Sequence, residues 1–234
     1  MDGKNWWIVV GGAKRLGQAL ARQLAHDHGL VLTSSRPWEQ DSGLSKGPDT
    51  RRLHWDAWDP NLASTMMTDL EALRGDGIHL GGALLVAGTF PFAPFGSWTA
   101  QELHKTWQVN LTFPFLVAQA LAPYLKEGSC VQFILDACIH RPMLNRLPYS
   151  AAKTGQVALV HGLAQLLAPN IRVVGHAIGT VLPDDDSNPD FLQNLTLLKR
   201  LGSPEELCSA IRYADASSSM TGEILTLDGG SRWA

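Results

Sequence analysis

Tyr149 and Lys153 are candidates for acid–base chemistry because they stand four residues apart in an amphipathic stretch. Residues at this spacing lie on one face of a helix, so the phenol and the ammonium project together. A phenol is a weak acid at neutral pH. A neighbouring ammonium favours phenolate, so we expect it to lower the pKa of Tyr149 and make the phenol a usable proton donor. The spacing also occurs by chance in many helices, and its weight here comes from its position after a predicted fifth strand.

A glycine-rich turn near the start of the chain is the second candidate site. The segment Gly11-Gly12-Ala13-Lys14-Arg15-Leu16-Gly17 follows a short apolar run and precedes leucines at helical spacing. Glycines let a backbone approach a pyrophosphate closely, and a helix N-terminus offers free N–H groups and a partial positive charge. A tight turn without a ligand is the simpler interpretation. The position after the first strand and the two adjacent cations favour a phosphate site.

The residues after the predicted second strand bear on the choice of dinucleotide. An acidic residue there would bind the ribose 2′-hydroxyl and repel a 2′-phosphate. Ser34, Ser35 and Arg36 stand there instead, and the next carboxylate is Glu39. Hydroxyls and a guanidinium suit a phosphate, and the two cations of the glycine turn add to the same charge. The pattern predicts NADPH as cofactor, with a solvated loop arginine as the alternative interpretation.

Composition limits the class of partner. The chain has 234 residues, 45% of them hydrophobic, which suits one globular α/β domain. With 19 basic and 22 acidic side chains the formal charge is -3, so nothing suggests nucleic acid or a membrane surface as partner. Neither a membrane-spanning run nor a signal peptide is apparent, so we expect a cytoplasmic protein with a small-molecule substrate. No metal-ligand spacing occurs, and the cysteines are expected to be reduced, buried thiols.

Apolar runs alternate with amphipathic segments along the whole chain. The runs predict strands at Ile8–Val10, Leu30–Leu32, Leu53–Trp55, Ala83–Ala87, Val131–Leu135, Ile171–Val174 and Gly222–Leu227. Helices are predicted after Arg15, over 62–74, over 99–126 with Thr99 as cap, over 149–167, and from Ser203 to about Ala214. Continuously apolar strands indicate a parallel sheet covered on both faces. The prediction is one Rossmann domain over 1–234, α/β and doubly wound, with a polar substrate-loop insertion near 183–200.

The order of these motifs resembles that of the classical short-chain dehydrogenase/reductase family over nearly the whole chain. The glycine turn is followed by Ala87-Gly88 after the fourth strand, by Asn110 in QVNLTFPF, by Tyr149 with Lys153, and by LTLDGG near the end. The resemblance implies that Tyr149 donates the proton, Lys153 binds the nicotinamide ribose, and Asn110 holds a water in a proton relay. It also implies a homotetramer built on the helices that carry Asn110 and Tyr149.

The same resemblance implies a cofactor site at the strand ends, with Asp56 as candidate acceptor for the adenine amino group. The expected NADPH-binding residues are Gly11, Lys14, Arg15, Leu16, Gly17, Ser34, Ser35, Arg36, Asp56, Ala57, Ala87, Gly88, Tyr149, Lys153, Gly179 and Val181.

Three departures from the family pattern narrow the prediction. Arg15 stands where the family has its middle glycine, and Asp136 stands thirteen residues before Tyr149, where a serine is usual. Both changes resemble the pteridine reductase and dihydromonapterin reductase branch. There the arginine reaches toward pterin and pyrophosphate, and an aromatic at the position of Phe90 sandwiches the pterin against nicotinamide. The resemblance therefore implies a substrate site of Arg15, Phe90, Asp136 and Tyr149. The third departure, Leu85-Val86 in place of two asparagines, weakens the match.

Asp136 has a chemical rationale in this setting. Hydride addition to a ketone builds negative charge on oxygen, which a neighbouring carboxylate disfavours. Addition to a C=N bond is helped by protonation of nitrogen, and a carboxylate stabilises the resulting cation or delivers the proton. Asp136 thus predicts an imine-type substrate such as a dihydropterin. A structural loop carboxylate that accepts hydrogen bonds from backbone N–H groups is the competing interpretation.

Three functions follow from these observations. The first is an NADPH-dependent pteridine reductase. The second is an NADPH-dependent carbonyl reductase for a ketone or quinone, in which Asp136 is incidental. The third is a catalytically degenerate dinucleotide-binding regulatory protein, suggested by the missing asparagines. The presence of Asn110, Tyr149 and Lys153 together argues against the third.

Overall fold

Seven strands of the described residues form one sheet. The structure, a computed structural model, describes residues 5–38, 49–184 and 187–234. Glu39, Asp185 and Asp186 therefore lie outside the described residues. The strands are β1 (Trp6–Val10), β2 (Gly29–Ser34), β3 (Thr50–His54), β4 (Leu80–Leu85), β5 (Leu125–Asp136), β6 (Arg172–Ile178) and β7 (Ile224–Leu227). Most of them differ from the predicted runs by a few residues at their ends.

All neighbouring strands are parallel, in the order β3-β2-β1-β4-β5-β6-β7. From the β1–β4 pair, successive strands along the chain are added outward on both sides. This pair is therefore the switch point, and such sheets bind ligands beyond the carboxyl ends of the strands at this point. The predicted α/β fold, a doubly wound parallel sheet, is confirmed. The carboxyl ends of the strands therefore gather on one edge the loops that carry the candidate residues.

Helices cover both faces of the sheet. They are α1 (Arg15–Leu24), α2 (Leu62–Gly75), α3 (Ala100–Trp107), α4 (Phe113–Leu121), α5 (Leu147–Leu167), α6 (Pro189–Asn194) and α7 (Pro204–Ala216). Strand β1 shows why its sequence is apolar throughout. Ile8 and Val10 pack into the core with α2, α4 and α5, whereas Trp7 and Val9 pack into the core with α1 and α7. Alternate side chains of a strand point to opposite faces, and here both faces are buried.

The predicted long helix over 99–126 is confirmed as a continuous helical run from Ala100 to Leu121, but it contains a π-helical turn and ends earlier than predicted. Its start is as expected, since Thr99 and Glu102 form a capping box at α3. Residues Gln108–Thr112 then form a π-helical turn between α3 and α4. Helix α4 ends at Leu121 ahead of Pro123, which lacks an N–H donor and disfavours helical backbone in the residue before it. Strand β5 has already begun at Leu125.

The polar insertion near 183–200 is partly helical in its described part. Helix α6 begins at Pro189, and Asn188 Oδ1 accepts hydrogen bonds from the backbone N–H groups of Asp190 and Phe191. A proline at the first helical position after an asparagine cap favours such a start. Among the described residues, no helix has the length and apolar character needed to cross a bilayer.

Candidate active site

The glycine turn lies between β1 and α1 and leaves no room for side chains at two of its positions. A Cβ atom on Gly17 would lie 2.1 Å from the carbonyl oxygen of Gly11, and one on Gly11 would lie 2.8 Å from Cα of Ala87. Gly11 also has a φ of +85°, which favours glycine. The turn is thus drawn tightly against the end of β4. Helix α1 has no side-chain hydrogen bond at its N-cap, Lys14, so no side chain competes there with an anionic ligand.

Arg15 has a left-handed backbone, with φ +47°, at the position where the family has glycine. This conformation costs an L-residue roughly 1–2 kcal/mol. Its side chain extends to the segment after β6, where Nη2 donates to the carbonyl of Leu182 at 3.1 Å and pairs with Asp184 Oδ1 at 2.8 Å. The structure therefore places Arg15 between the glycine turn and the segment after β6 that is predicted to be a substrate loop. Its contact with pterin or pyrophosphate stays a prediction.

The predicted dinucleotide-selecting residues stand at the end of β2. Ser34 is the last residue of that strand and is buried, whereas Ser35 and Arg36 are exposed. Ser34 Oγ accepts a hydrogen bond from the backbone N–H of Arg36 at 3.1 Å. A hydroxyl that accepts one hydrogen bond can still donate another. The arrangement is compatible with a phosphate bound beside Ser34 and Arg36.

The remaining predicted cofactor residues also follow strand ends. Asp56 and Ala57 come after β3, Ala87 and Gly88 after β4, and Gly179 and Val181 after β6. Because all strands are parallel, these positions share the edge of the sheet with the glycine turn. Asp56 Oδ1 accepts a hydrogen bond from the backbone N–H of Trp58 at 3.2 Å. Its binding of adenine stays a prediction.

Asp136 and Tyr149 are in direct contact at the centre of this edge. Asp136 ends β5, and Tyr149 lies in the first turn of α5 with only 7% of its surface exposed. Tyr149 Oη donates to Asp136 Oδ2 at 3.0 Å, and Asp136 Oδ1 accepts from the backbone N–H of Cys138 at 2.7 Å. One carboxylate oxygen therefore caps the following turn, as the structural interpretation expects. The other oxygen faces the phenol, as the catalytic interpretation expects.

The expected lowering of the Tyr149 pKa by Lys153 is wrong for this structure. Burial, followed by the negative charge of Asp136, raises the pKa of Tyr149 well above its usual value. The ammonium is directed elsewhere, since Lys153 Nζ donates to the carbonyl of Ile134 at 2.7 Å. Tyr149 therefore keeps its proton at neutral pH and acts as a hydrogen-bond donor. A buried phenol beside a carboxylate resists ionisation because both surroundings disfavour a second negative charge.

Lys153 is buried in α5, with 4% of its surface exposed. Burial lowers its pKa to about 8, and the negative charge of Asp136 acts in the opposite direction. Besides the carbonyl of Ile134, the ammonium contacts Gln156 Oε1 at 3.5 Å. Two neutral oxygen acceptors therefore hold the lysine, which is close to the limit at which it stays protonated.

Asn110 lies in the π-helical turn and is fully buried. Its Nδ2 donates to the carbonyl of Thr106 at 2.9 Å and to Thr89 Oγ1 at 3.0 Å. Its Oδ1 accepts from the backbone N–H of Thr89 at 3.1 Å. By bonding the carbonyl four residues earlier, the side chain competes with the α-helical backbone bond, which accounts for the π turn.

Gln156, which sequence reasoning missed, connects this turn to the lysine. Its Nε2 donates to the backbone carbonyl of Asn110, while its Oε1 contacts Lys153 Nζ. The available signal was a polar residue three positions after Lys153 on the buried face of an apolar helix. The water-holding role predicted for Asn110 stays a prediction, and in this structure a side-chain amide bridges the two residues.

Phe90 and Arg146 form the outer wall of the site. The Phe90 ring packs edge-to-face with Tyr149 at a centroid distance of 4.8 Å, and 44% of Phe90 is exposed. The guanidinium of Arg146 lies 3.7 Å from the centroid of Phe90, and its Nη1 donates to the Phe90 carbonyl. Phe90 is therefore in contact with Tyr149, which donates its hydroxyl hydrogen bond to Asp136, as the pterin hypothesis requires. Sequence reasoning missed Arg146, whose available signal was a cation one helical turn before Tyr149.

The residues present fit a nicotinamide dinucleotide. The glycine turn has the close backbone approach and the uncapped helix N-terminus that a pyrophosphate needs, and a buried lysine and tyrosine of α5 lie beside the carboxyl end of β5. In the described ranges, no three His, Cys, Asp or Glu side chains come together as a metal site. The three cysteines are free and buried, as expected.

Comparison with known proteins agrees with this assignment. Residues 11–232 match the family model described as enoyl-(acyl carrier protein) reductase. Tropinone reductase-like 3 of Erythroxylum coca is 32% identical over 138 residues, which cover 55% of this chain and 54% of the relative. Dehydrogenase/reductase SDR family member 4 of Sus scrofa is 25% identical over 96% of this chain and 86% of the relative. The first two curated relatives are thus matched over only about half of their length.

The solved structures show the same fold. A short-chain dehydrogenase/reductase from Serratia marcescens BCRC 10948 superimposes with a TM-score of 0.87 at 22% identity, over 97% of this chain and 98% of that one. Motif order, fold and the matched family model together show that this chain belongs to the classical short-chain dehydrogenase/reductase family.

Proposed function

We propose that this protein is an NADPH-dependent reductase that transfers hydride to a C=N bond of a pterin. The observation that carries the proposal is the hydrogen bond from Tyr149 Oη to Asp136 Oδ2, 3.0 Å long, beside the Phe90 ring. This hydrogen bond holds a proton donor and a carboxylate side by side in the candidate site. A ketone needs the donor alone, whereas a C=N bond also benefits from the carboxylate.

NADPH would supply the hydride, and the chain's own residues would manage the proton. As hydride adds to the carbon of the C=N bond, the nitrogen takes a proton, so one C–H and one N–H bond form. Asp136 stabilises the positive charge that develops on nitrogen, and Tyr149 Oη supplies the proton. The raised pKa of Tyr149 keeps that proton in place until the substrate binds. Lys153 Nζ, 5.9 Å from the centroid of the Tyr149 ring, would offset part of the negative charge that remains on the phenolate.

The choice of NADPH rests on Ser34, Ser35 and Arg36. These residues follow β2, and no acidic residue occurs between them and Trp38. The exposed Arg36 can form bidentate hydrogen bonds to a 2′-phosphate. Comparing the Kd values of NADPH and NADH tests this, with Arg36→Gln expected to weaken NADPH binding alone.

We also propose a homotetramer in the cytoplasm. Phe115 on α4 is 37% exposed and Leu166 on α5 is 77% exposed, so the helices proposed to meet at the interface carry apolar surface. The free thiols Cys130, Cys138 and Cys208 suit a reducing compartment. Light scattering of the purified protein measures the oligomeric state, and a monomer would contradict the proposal.

Carbonyl reduction is the second candidate. It is supported by the protonated state of Tyr149, which can donate a hydrogen bond to a carbonyl oxygen, and by the name of the relative tropinone reductase-like 3. In that case Asp136 serves as a cap for the backbone N–H of Cys138.

A binding role without catalysis is the third candidate. A relative in Escherichia coli, 24% identical over 95% of this chain, is named cyclic-di-GMP-binding biofilm dispersal mediator protein. The intact hydrogen bond between Tyr149 and Asp136, with Lys153 behind it, argues against loss of catalysis here.

Oxidation of NADPH, followed by its absorbance, separates these functions. Dihydrobiopterin and dihydromonapterin are tested beside several ketones and a quinone. The proposal predicts turnover of a dihydropterin, whereas turnover of carbonyl compounds alone would establish the second candidate. A thermal shift with NADPH but no turnover of any substrate would favour the third.

A further inference from the structure

We propose that Arg146 forms an anion-binding subsite beside Phe90, so that the substrate carries a carboxylate or phosphate at the end remote from its reacting bond. This inference rests on the proposed reductase function and names a property of the substrate that the function alone does not require.

The contacts of Arg146 hold its guanidinium in an orientation that suits an anionic ligand. Arg146 is the N-cap residue of α5, three positions before Tyr149. Its guanidinium stacks on Phe90 at 3.7 Å and lies 5.3 Å from the centroid of Phe92. A stacked guanidinium is fixed in orientation, and its N–H groups point outward in the plane. One of them, Nη1, is used for the Phe90 carbonyl.

The charge of Arg146 is not matched by an ion pair. In the parts of the chain that the structure describes, no carboxylate lies within salt-bridge distance of it, since Asp184 pairs with Arg15 at 2.8 Å instead. Burial lowers the pKa of Arg146, which shows that the guanidinium is partly removed from water. A partly desolvated cation without a partner gains from a bound anion, and a guanidinium binds carboxylates and phosphates with two parallel hydrogen bonds.

The position of Arg146 relative to the reacting groups determines where the anionic group of the substrate must lie. The negative charges of Asp184 and Asp136 act on Arg146, so the guanidinium lies within electrostatic range of the reacting groups. The Phe90 ring contacts both the guanidinium and the Tyr149 ring. A planar substrate that stacks on Phe90 and brings its C=N bond to Tyr149 would therefore extend its far end to Arg146.

A purely structural role for Arg146 predicts a different outcome. If the arginine only fastens the Phe90 segment to the start of α5, its replacement lowers the turnover of all substrates alike. An anion-binding role lowers the turnover of anionic substrates selectively. The ratio of kcat/KM between matched anionic and neutral substrates therefore distinguishes the two.

The experiment measures this ratio for the unaltered protein, Arg146→Met, Arg146→Lys and the control Arg74→Met. Arg74 pairs with Glu71 in the last turn of α2, away from the carboxyl ends of the strands where the candidate site lies. One substrate pair is 7,8-dihydroneopterin 3′-phosphate with 7,8-dihydroneopterin, in which the phosphate lies at the end of the side chain, away from the C6=N5 bond. A second pair is a keto acid with its methyl ester, in which several carbons separate the ketone from the carboxyl group. Loss of one charge-assisted contact predicts that Arg146→Met lowers the anionic preference about 10- to 100-fold. Arg146→Lys should retain part of it, and Arg74→Met all of it.

The outcomes separate this inference from the proposed function. If dihydropterins are reduced without an anionic preference, or if Arg146→Met lowers both members of a pair equally, the subsite is overturned and the function stands. If only the carbonyl pair is reduced and its acid is preferred through Arg146, the pterin function fails and the subsite stands.

Discussion

The inner and outer halves of the candidate site are built from different interactions. The inner half consists of Asn110, Tyr149, Lys153 and Gln156, which are buried, and Asp136, which is half-buried, and hydrogen bonds connect its members to each other and to the backbone. The outer half consists of Arg15, Phe90 and Asp184, which are exposed, and Arg146, which is half-buried, and it is held by one ion pair and by stacking of a cation on a ring. Exposed contacts of this kind contribute about 1 kcal/mol or less each.

The difference indicates a division of tasks. The inner half lies at the end of β5, in the π turn and in α5, which fix its geometry, so we expect it to determine the type of reaction. The outer half lies in loops and at the starts of α1 and α5, where its contacts are weak and easily exchanged, so we expect it to determine which substrate is accepted. Changes in the inner half should therefore act on kcat for every substrate, and changes in the outer half should act on substrate preference.

Tyr149→Phe should give the largest effect, because it removes the proton donor and leaves the packing on Phe90 unchanged. We expect kcat/KM to fall about 10²- to 10⁴-fold for every substrate, as is typical for loss of a general acid. Tyr213→Phe, on the exposed side of α7, is the matched control. Steady-state kinetics with a melting curve is the measurement, and near-normal turnover would remove Tyr149 from the inner half.

Asp136→Asn should give the next largest effect and should depend on the substrate. The asparagine keeps an oxygen for the backbone N–H of Cys138 but loses the negative charge. We expect roughly a 10²-fold loss for dihydropterins, and little change or a gain for ketones, since the carboxylate disfavours their oxyanion. Equal loss for both substrate classes would mean that the charge of Asp136 does not select for C=N bonds.

Gln156 variants should shift the pH dependence and leave the substrate preference unchanged. Gln156→Glu places a carboxylate at the ammonium of Lys153 and should raise the lysine's pKa, whereas Gln156→Leu removes an acceptor and should lower it. Because the pKa of Lys153 is about 8, kcat/KM of the unaltered protein should begin to fall near that pH as the lysine loses its proton. This fall should move to higher pH by roughly one unit in Gln156→Glu and to lower pH by a similar amount in Gln156→Leu. NMR titration of the lysine in the absence of substrate checks the assignment. Identical profiles for both variants would show that Gln156 only fills space.

Asp184→Asn should give the smallest effect. The Arg15–Asp184 pair is more than half exposed on both sides, so its loss should change the free energy of unfolding by less than about 1 kcal/mol. With Arg15 released from the loop, NADPH affinity and substrate preference should change more than kcat. Denaturant unfolding and fluorescence titration with NADPH measure both quantities. A loss of several kcal/mol in the free energy of unfolding would contradict the small contribution expected of this exposed ion pair.

The sequence predicts features that depend on local spacing better than it predicts contacts between distant residues. The capping box of Thr99 with Glu102 depends on residues three apart, and the pairing of Tyr149 with Lys153 depends on residues four apart, so local spacing suffices. The predicted fold needed only the order of apolar runs and turns.

The missed features depend on distant contacts. Arg146 contacts Phe90 across 56 positions, and Gln156 contacts Asn110 across 46. The π turn at Asn110 arises because a buried amide has Thr89 and the carbonyl of Thr106 as its partners. The raised pKa of Tyr149 likewise follows from burial and from Asp136, which only the folded chain brings beside it. Local patterns contain none of this information.

The left-handed backbone of Arg15 has a consequence for how such enzymes diversify. Because φ is +47° there, glycine can replace arginine without any change in the path of the turn, and such a replacement relieves backbone strain. A single substitution can thus remove or introduce a cation beside the segment that follows β6 while the turn keeps its backbone path. Variation at this position can therefore change the charge near that segment without rebuilding the glycine turn.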